Sequence, residues 1–270
     1  MEFFESYGLI LIILAAGVGF VMAWGIGAND VANAMGTSVG SKALTIKQAI
    51  FIAMIFEFAG AYLAGGEVTS TIRKGIIDST YFIDIPEYLV LGMISSLLAA
   101  GIWLAVASWL GWPVSTTHSI IGAIIGFTAT GVSMDAVAWD KVGGIVGSWV
   151  VTPAISGIIA YLIFMSAHKL IFQTASPFAN AKRYVPFYMA LAGFVMSLVT
   201  IKKGLKHVGL ELSTVNGYLL AIAISVALGF LGKWFIGRMK FSGSEDADLQ
   251  AANVEKVFAL LMVVTACCMA

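Results

Sequence analysis

The sequence predicts an all-α membrane protein, a polytopic bundle of transmembrane helices. Of its 270 residues, 60% are hydrophobic and only 11% charged, where a soluble domain carries roughly 25% charged residues. With a mean hydropathy of +0.95 there are too few polar side chains to face water, so the solvent is lipid. The apolar residues fall in eight runs, approximately 8–26, 48–66, 88–110, 113–130, 142–165, 184–201, 216–236 and 256–270. Most are near the ~20 residues that cross a hydrocarbon core. Backbone groups in lipid have to be satisfied within the segment, which makes each run a helix. No run alternates polar and apolar residues for long enough to suggest a barrel strand. The expected location is the cell membrane, multi-pass (the inner membrane if the cell is bacterial), with the lipid bilayer as a partner.

Charge and cysteine content exclude other classes. Net charge is zero, so no basic face is offered to nucleic acid. Cys267 and Cys268 are adjacent in an apolar run and read as small apolar residues, with neither a disulfide framework nor a metal-ligand spacing. The opening "MEFFESYG" lacks the basic region of a cleaved signal peptide, and the first apolar run reads as the first membrane helix. With the N-terminus outside, nine Lys and Arg (Lys42, Lys47, Lys169, Lys182, Arg183, Lys233, Arg238, Lys240, Lys256) lie inside against six outside (Arg73, Lys74, Lys141, Lys202, Lys203, Lys206). That orientation follows the positive-inside rule.

Two polar stretches interrupt the apolar runs. The first is "WGIGANDVANAMGTSVGS", Trp24–Ser41. Gly25 and Gly27 tolerate an unwound backbone, and Asn29 and Asp30 are strong helix N-caps. This predicts a helix that breaks near Gly25–Ala28 and restarts around Asn29–Val31, leaving a dipole end and free N–H groups for an anion. A cap on a short interfacial helix is the plainer alternative. The second stretch is "GWPVSTTHSIIGAIIG", Gly111–Gly126. Pro113 suits a turn or the first turn of a helix, and Ser115, Thr116 and Thr117 supply three hydroxyl donors beside free backbone N–H groups. Runs 88–110 and 113–130 are either two full crossings or a re-entrant hairpin, and the hairpin puts the hydroxyls in the membrane middle. The hydroxyls could equally bond back to their own or a neighbouring helix.

Paired broken or re-entrant helices with facing N-termini are how secondary transporters hold substrate and coupling ion. Asp30 beside an anion is repulsive unless a cation lies between them. Asp30, Asn33, Ser115 and Thr117 offer oxygen ligands to a sodium ion, and each ligand then raises the other's affinity by the same factor. Glu57, in "FIAMIFEFAGAYLAGG", is a further candidate cation ligand, because an ionisable residue at a membrane helix centre costs roughly 2.5–3.5 kcal/mol. A hydrogen bond to a neighbouring helix is the structural alternative. Ser115, His118 and Asp30 do not read as a hydrolase trio, since there is no nucleophile elbow. No enzymatic activity and no cofactor beyond a coupling ion are expected. His168 and His207, beside Lys169 and Lys206 at loop edges, read as solvated.

"GANDVANAMGTSVGSKALTIKQA" (Gly27–Ala49), "EVTSTIRKGIID" (Glu67–Asp78) and "GWPVSTTHSIIGAIIG" together resemble the inorganic phosphate transporter family, and its sodium-coupled symporter branch more than its proton-coupled bacterial one. The resemblance covers about 8–130 strongly and the rest by hydropathy. It implies sodium-coupled symport of inorganic phosphate by alternating access, with Asn29, Asp30, Asn33, Ser115, Thr116 and Thr117 binding substrate. Sodium would take Asp30, Asn33, Glu57, Ser115 and Thr117. A sulfate or proton-coupled permease of the same family is the near alternative; a non-transporting membrane subunit or scaffold is the distant one.

The family pattern is two inverted repeats, each with one "GANDVAN" and one "P-[VI]-S-x-T" motif, and here each occurs once. The chain is therefore expected to be one half of an inverted-repeat transporter. Its expected divisions are a first repeat at 1–170, additional helices at 171–236, a cytoplasmic linker at 237–255, and the start of a truncated second repeat at 256–270. The remaining partners implied are a C-terminal half or a second copy of the chain, as in a homodimer.

Overall fold

The computed structural model describes residues 2–204, 212–241 and 247–269, and the side chains of all of these except 2, 63–74, 203–204 and 247–248. Eight α-helices account for most of them: α1 (Glu2–Gly40), α2 (Ile46–Gly75), α3 (Pro86–Leu110), α4 (Thr116–Gly131), α5 (Trp139–Ala167), α6 (Pro177–Val199), α7 (Thr214–Arg238) and α8 (Ala247–Met269). Each apolar run of the sequence lies on one of them. Among the described residues the only sheet-like pairing is a single antiparallel bridge, Ile77 with Val137. Among the described residues six helices, α1, α3 and α5–α8, are long and apolar enough to cross a membrane. The protein is a multi-pass membrane protein. At 16 residues, α4 is ~24 Å long, short of the ~30 Å hydrocarbon core.

Local chemistry sets the helix ends. Thr45 and Gln48 form a reciprocal cap at the start of α2: the Thr45 N–H donates to Gln48 Oε1 at 2.9 Å and the Gln48 N–H to Thr45 Oγ1 at 3.4 Å. Pro86 opens α3 at a position where no N–H is needed. Gly111 ends α3 at φ 70°, a conformation that costs an L side chain heavily. The Trp112 N–H then returns to the Ala107 carbonyl at 2.8 Å, which closes the helix in a Schellman-type turn.

The chain packs as two compact units. The first comprises residues 1–33 and 68–150. Its core is Met22, Ile76, Ala100, Leu104, Ile120, Ile121, Ile124, Val137 and Val142. Within it α3 and α4 form an antiparallel hairpin. Ser96 Oγ donates to the Ala123 carbonyl at 3.3 Å, and Gly92 lies so close to the Phe127 ring that a Cβ there would fall inside it. The second unit comprises 34–67 and 151–270, with a core that includes Val185, Met189, Ile236 and Val257. There α6 and α7 pack on glycines: a Cβ at Gly232 would meet Met189 Sδ at 2.6 Å, and one at Gly193 would meet Leu228. Ser225 Oγ donates to the Ala190 carbonyl at 2.6 Å. These discontinuous units are a different division from the linear one into 1–170 and 171–236.

Two expectations are corrected. The first helix does not break at Gly25–Ala28; α1 runs unbroken for 39 residues. A glycine in a helix interior costs only ~1 kcal/mol relative to alanine, and here close packing uses it. A Cβ on Gly25 would meet Leu104 Cβ at 3.0 Å, and one on Gly101 would meet the Met22 backbone at 3.4 Å. The glycines let α1 and α3 approach each other. The linker expected over 237–255 is also shorter. Gly237 and Arg238 belong to α7, and α8 begins at Ala247, because "ADLQAANVEK" is rich in helix formers. Residues 242–246 of that segment lie outside the described residues.

Gly92→Ala should lower thermal stability by about 1–3 kcal/mol through overpacking against Phe127, and Phe127→Leu in the same chain should recover part of the loss. Equal melting of Gly92→Ala and wild type in detergent would show that α3 and α4 do not pack at this distance.

Candidate functional site

The two polar stretches meet in the first unit. α1 carries Asn29, Asp30 and Asn33; the turn 111–115 and the start of α4 carry the hydroxyls. Asn29 is only 5% exposed. Its Nδ2 donates to the Trp112 carbonyl at 3.0 Å, and its Oδ1 accepts from the Val114 N–H at 3.3 Å. One side-chain amide thus joins the backbone on both sides of Pro113, as a neighbouring strand would. Asn33 Nδ2 donates to the same Oδ1 at 3.3 Å. The Asn29 oxygen therefore already accepts two hydrogen bonds, which is its capacity.

Asp30, half-buried, accepts from Thr116 Oγ1 at 3.2 Å. Ser115 is the N-cap of α4: its Oγ accepts from the His118 N–H at 3.3 Å. Thr117 is exposed, and its hydroxyl has no hydrogen-bond partner among the described residues. The N–H groups of Thr116 and Thr117 occupy the first turn of α4, where no intrahelical carbonyl reaches them. They point outward with the positive end of the helix dipole. Because α1 is unbroken, it contributes side chains here and no N–H groups of its own. Among the described residues, the helix N-terminus at this place is that of α4.

Of the seven residues expected from the sequence, Asn29, Asp30, Asn33, Ser115, Thr116 and Thr117 are all in the first unit. Glu57, half-buried on α2, belongs to the second. Among the described residues no three His, Cys, Asp or Glu side chains cluster as a metal site. An arrangement of one carboxylate with hydroxyls and amides suits a hard, weakly held cation better than a transition metal.

Other features at this place carry no sequence signal. The His118 ring lies against Trp149 of α5, centroids 3.8 Å apart. On α3, Ser108 Oγ is the one buried side-chain oxygen without a partner among the described residues. Gly19 packs on Leu97, Met22 on Gly101 and Gly25 on Leu104, a parallel register of α1 and α3. A single serine in an apolar helix gives no hint of its burial in the sequence.

A model of the phosphate transporter family matches residues 26–270. The chain belongs to that family. It is 54% identical over 270 residues to a Haemophilus influenzae protein named "Putative phosphate permease", covering all of this chain and 64% of that one. It is 46% identical over 168 residues to "Inorganic phosphate transporter 2-1, chloroplastic" of Arabidopsis thaliana, covering 62% of this chain and 29% of that one. Among solved structures it resembles one described as "The sodium-dependent phosphate transporter", with a TM-score of 0.84 at 37% identity, covering 96% of this chain and 62% of that one. The chain thus spans about two thirds or less of the length of these relatives.

The geometry separates two neighbouring threonines. Thr116→Val removes a hydroxyl donated to a half-buried carboxylate and should cost about 1 kcal/mol of stability, while Thr117→Val should melt with the wild type. Equal losses in a denaturation series would show that the Thr116–Asp30 bond does not form.

Proposed function

We propose that this chain forms part of a sodium-coupled symporter of inorganic phosphate that works by alternating access. The observation that supports it best is the hydrogen bond between Asp30 and Thr116 at the N-terminus of α4. It puts a carboxylate directly beside the donors suited to an oxyanion. Phosphate at Ser115–Thr117 and an ionised Asp30 repel each other in a medium of low dielectric. A sodium ion on Asp30 removes that repulsion, so each ligand favours the other.

The roles divide accordingly. Asp30 supplies the cation's charged ligand, and Asn33 and the hydroxyls of Ser115 and Thr117 its neutral oxygens. Thr116, Thr117 and the first N–H groups of α4 hold the phosphate. Glu57 would hold a second cation. Family membership favours phosphate over sulfate, and similarity to a transporter described as sodium-dependent favours sodium over a proton. A proton could neutralise Asp30 in the same way, which keeps proton coupling as the second reading.

The test is labelled phosphate uptake by the full gene product in liposomes, at fixed pH, with a sodium gradient or choline in its place. Uptake should follow the sodium gradient and resist excess sulfate. Asp30→Asn should abolish the sodium-dependent component. Thr117→Val should weaken phosphate binding by about 1.5–3 kcal/mol through loss of a charge-assisted bond. Uptake driven by a pH gradient in sodium-free buffer would overturn sodium coupling, and an unchanged Asp30→Asn variant would remove Asp30 from the cation site.

A further inference from the structure

We infer that Asn29 is a positioning residue: its amide spans Pro113 and holds the start of α4 in register with Asp30, without itself touching phosphate or sodium. This deepens the transport reading and rests on it for its activity arm. Three observations carry it. Asn29 is the most buried of the polar residues at this place, at 5% exposure. Its oxygen accepts from the Val114 N–H and from Asn33, both at 3.3 Å, leaving no lone pair for a cation. One of the two hydrogens on its Nδ2 goes to the Trp112 carbonyl at 3.0 Å.

The backbone of the turn shows why this position needs an amide. The Trp112 N–H is taken by the Ala107 carbonyl, and Pro113 has no N–H. That leaves the Trp112 carbonyl and the Val114 N–H, one acceptor and one donor on either side of a proline. Only a side chain with both a donor and an acceptor on one planar group can meet the two together. Asn29 does so, and Asp30, one residue further on α1, then meets Thr116. Losing the amide would free the turn and let the hydroxyls drift from the carboxylate.

Asn29→Asp separates this role from direct ligation. An ionised carboxylate accepts from Val114 but cannot donate to the Trp112 carbonyl. Asn29→Leu keeps the bulk of the side chain and makes neither bond.

In the full gene product in liposomes, Asn29→Asp should fall about tenfold in kcat/KM for sodium-dependent phosphate uptake near neutral pH. Asn29→Leu should fall at least as far, and raising sodium should rescue neither variant. A direct cation ligand predicts instead that Asn29→Asp, which keeps an oxygen and adds charge, retains uptake with unchanged or higher sodium affinity, and that result would overturn the inference. Hydrogen exchange provides an arm independent of transport. The Val114 amide should exchange faster in Asn29→Leu than in wild type, with or without sodium and phosphate. Unchanged exchange would disprove the bridge. A wild type without sodium-dependent uptake but with faster Val114 exchange in the variant would instead reject the transport reading and keep the bridge.

Discussion

A turn between two helices leaves backbone N–H and C=O groups that neither helix satisfies. Residues 111–115 are such a turn, and protein groups meet the Trp112 N–H and carbonyl and the Val114 N–H. Gly111 turns the chain, Ala107 takes the Trp112 N–H, and Asn29 takes the two groups flanking the proline. That last contact needs α1 within reach of the end of α3. Gly25 and Gly101 provide the reach, because their missing Cβ atoms let the helix backbones close on Leu104 and Met22. Close packing, turn geometry and the placing of the α4 hydroxyls therefore form one dependent series. It begins with two glycines, about one helical turn before Asn29 and about three before Trp112.

Much of this fold was legible because lipid simplifies the problem. Each of the eight apolar runs lies on a helix, and several helices extend well beyond their runs. The α3–α4 hairpin was legible as well, since Gly111, Pro113 and Ser115 are a helix stop, a turn former and a cap in the order needed. The unbroken α1 was not legible. Gly25–Ile26–Gly27 followed by Asn29 and Asp30 has the composition of a helix break, and also of a helix that packs closely and aims its polar side chains at a neighbour. Only the position of Leu104 decides between them, and tertiary contact is what local sequence cannot report. The same holds at Gln250–Asn253, where linker-like polarity was part of α8.

The candidate site was legible in its parts and less so in its roles. Both motifs were identifiable, and the structure brings their residues together in one unit. The sequence could not rank Asn29 against Asp30, because both are polar, adjacent and in one motif. Burial and partner geometry separate them: one amide bridges the backbone on both sides of Pro113, and one carboxylate is engaged by a single hydroxyl. Thr116 and Thr117 are separated in the same way, one facing Asp30 and the other exposed. Trp149 lacked a signal because its importance lies wholly in what α4 places beside it.

The Thr116 hydroxyl has one proton to donate, and in this structure it goes to Asp30. In the proposed symport that proton is contested. Phosphate at the α4 N-terminus needs it, and so does a bare carboxylate. A sodium ion on Asp30 compensates the carboxylate by direct ligation and leaves the hydroxyl free to turn toward the anion. Neither step requires a large movement, since Ser115 caps the helix, His118 is held by Trp149, and Asn29 fixes the turn. The coupling is then a competition for a single hydrogen atom within a rigid frame. Typical coupling energies of ~1–3 kcal/mol are of the size that one hydrogen bond to a charged group supplies. A site this small can link two ligands only if the frame does not yield, and the bonds of Asn29 across Pro113 and the Ser115 cap are what hold it.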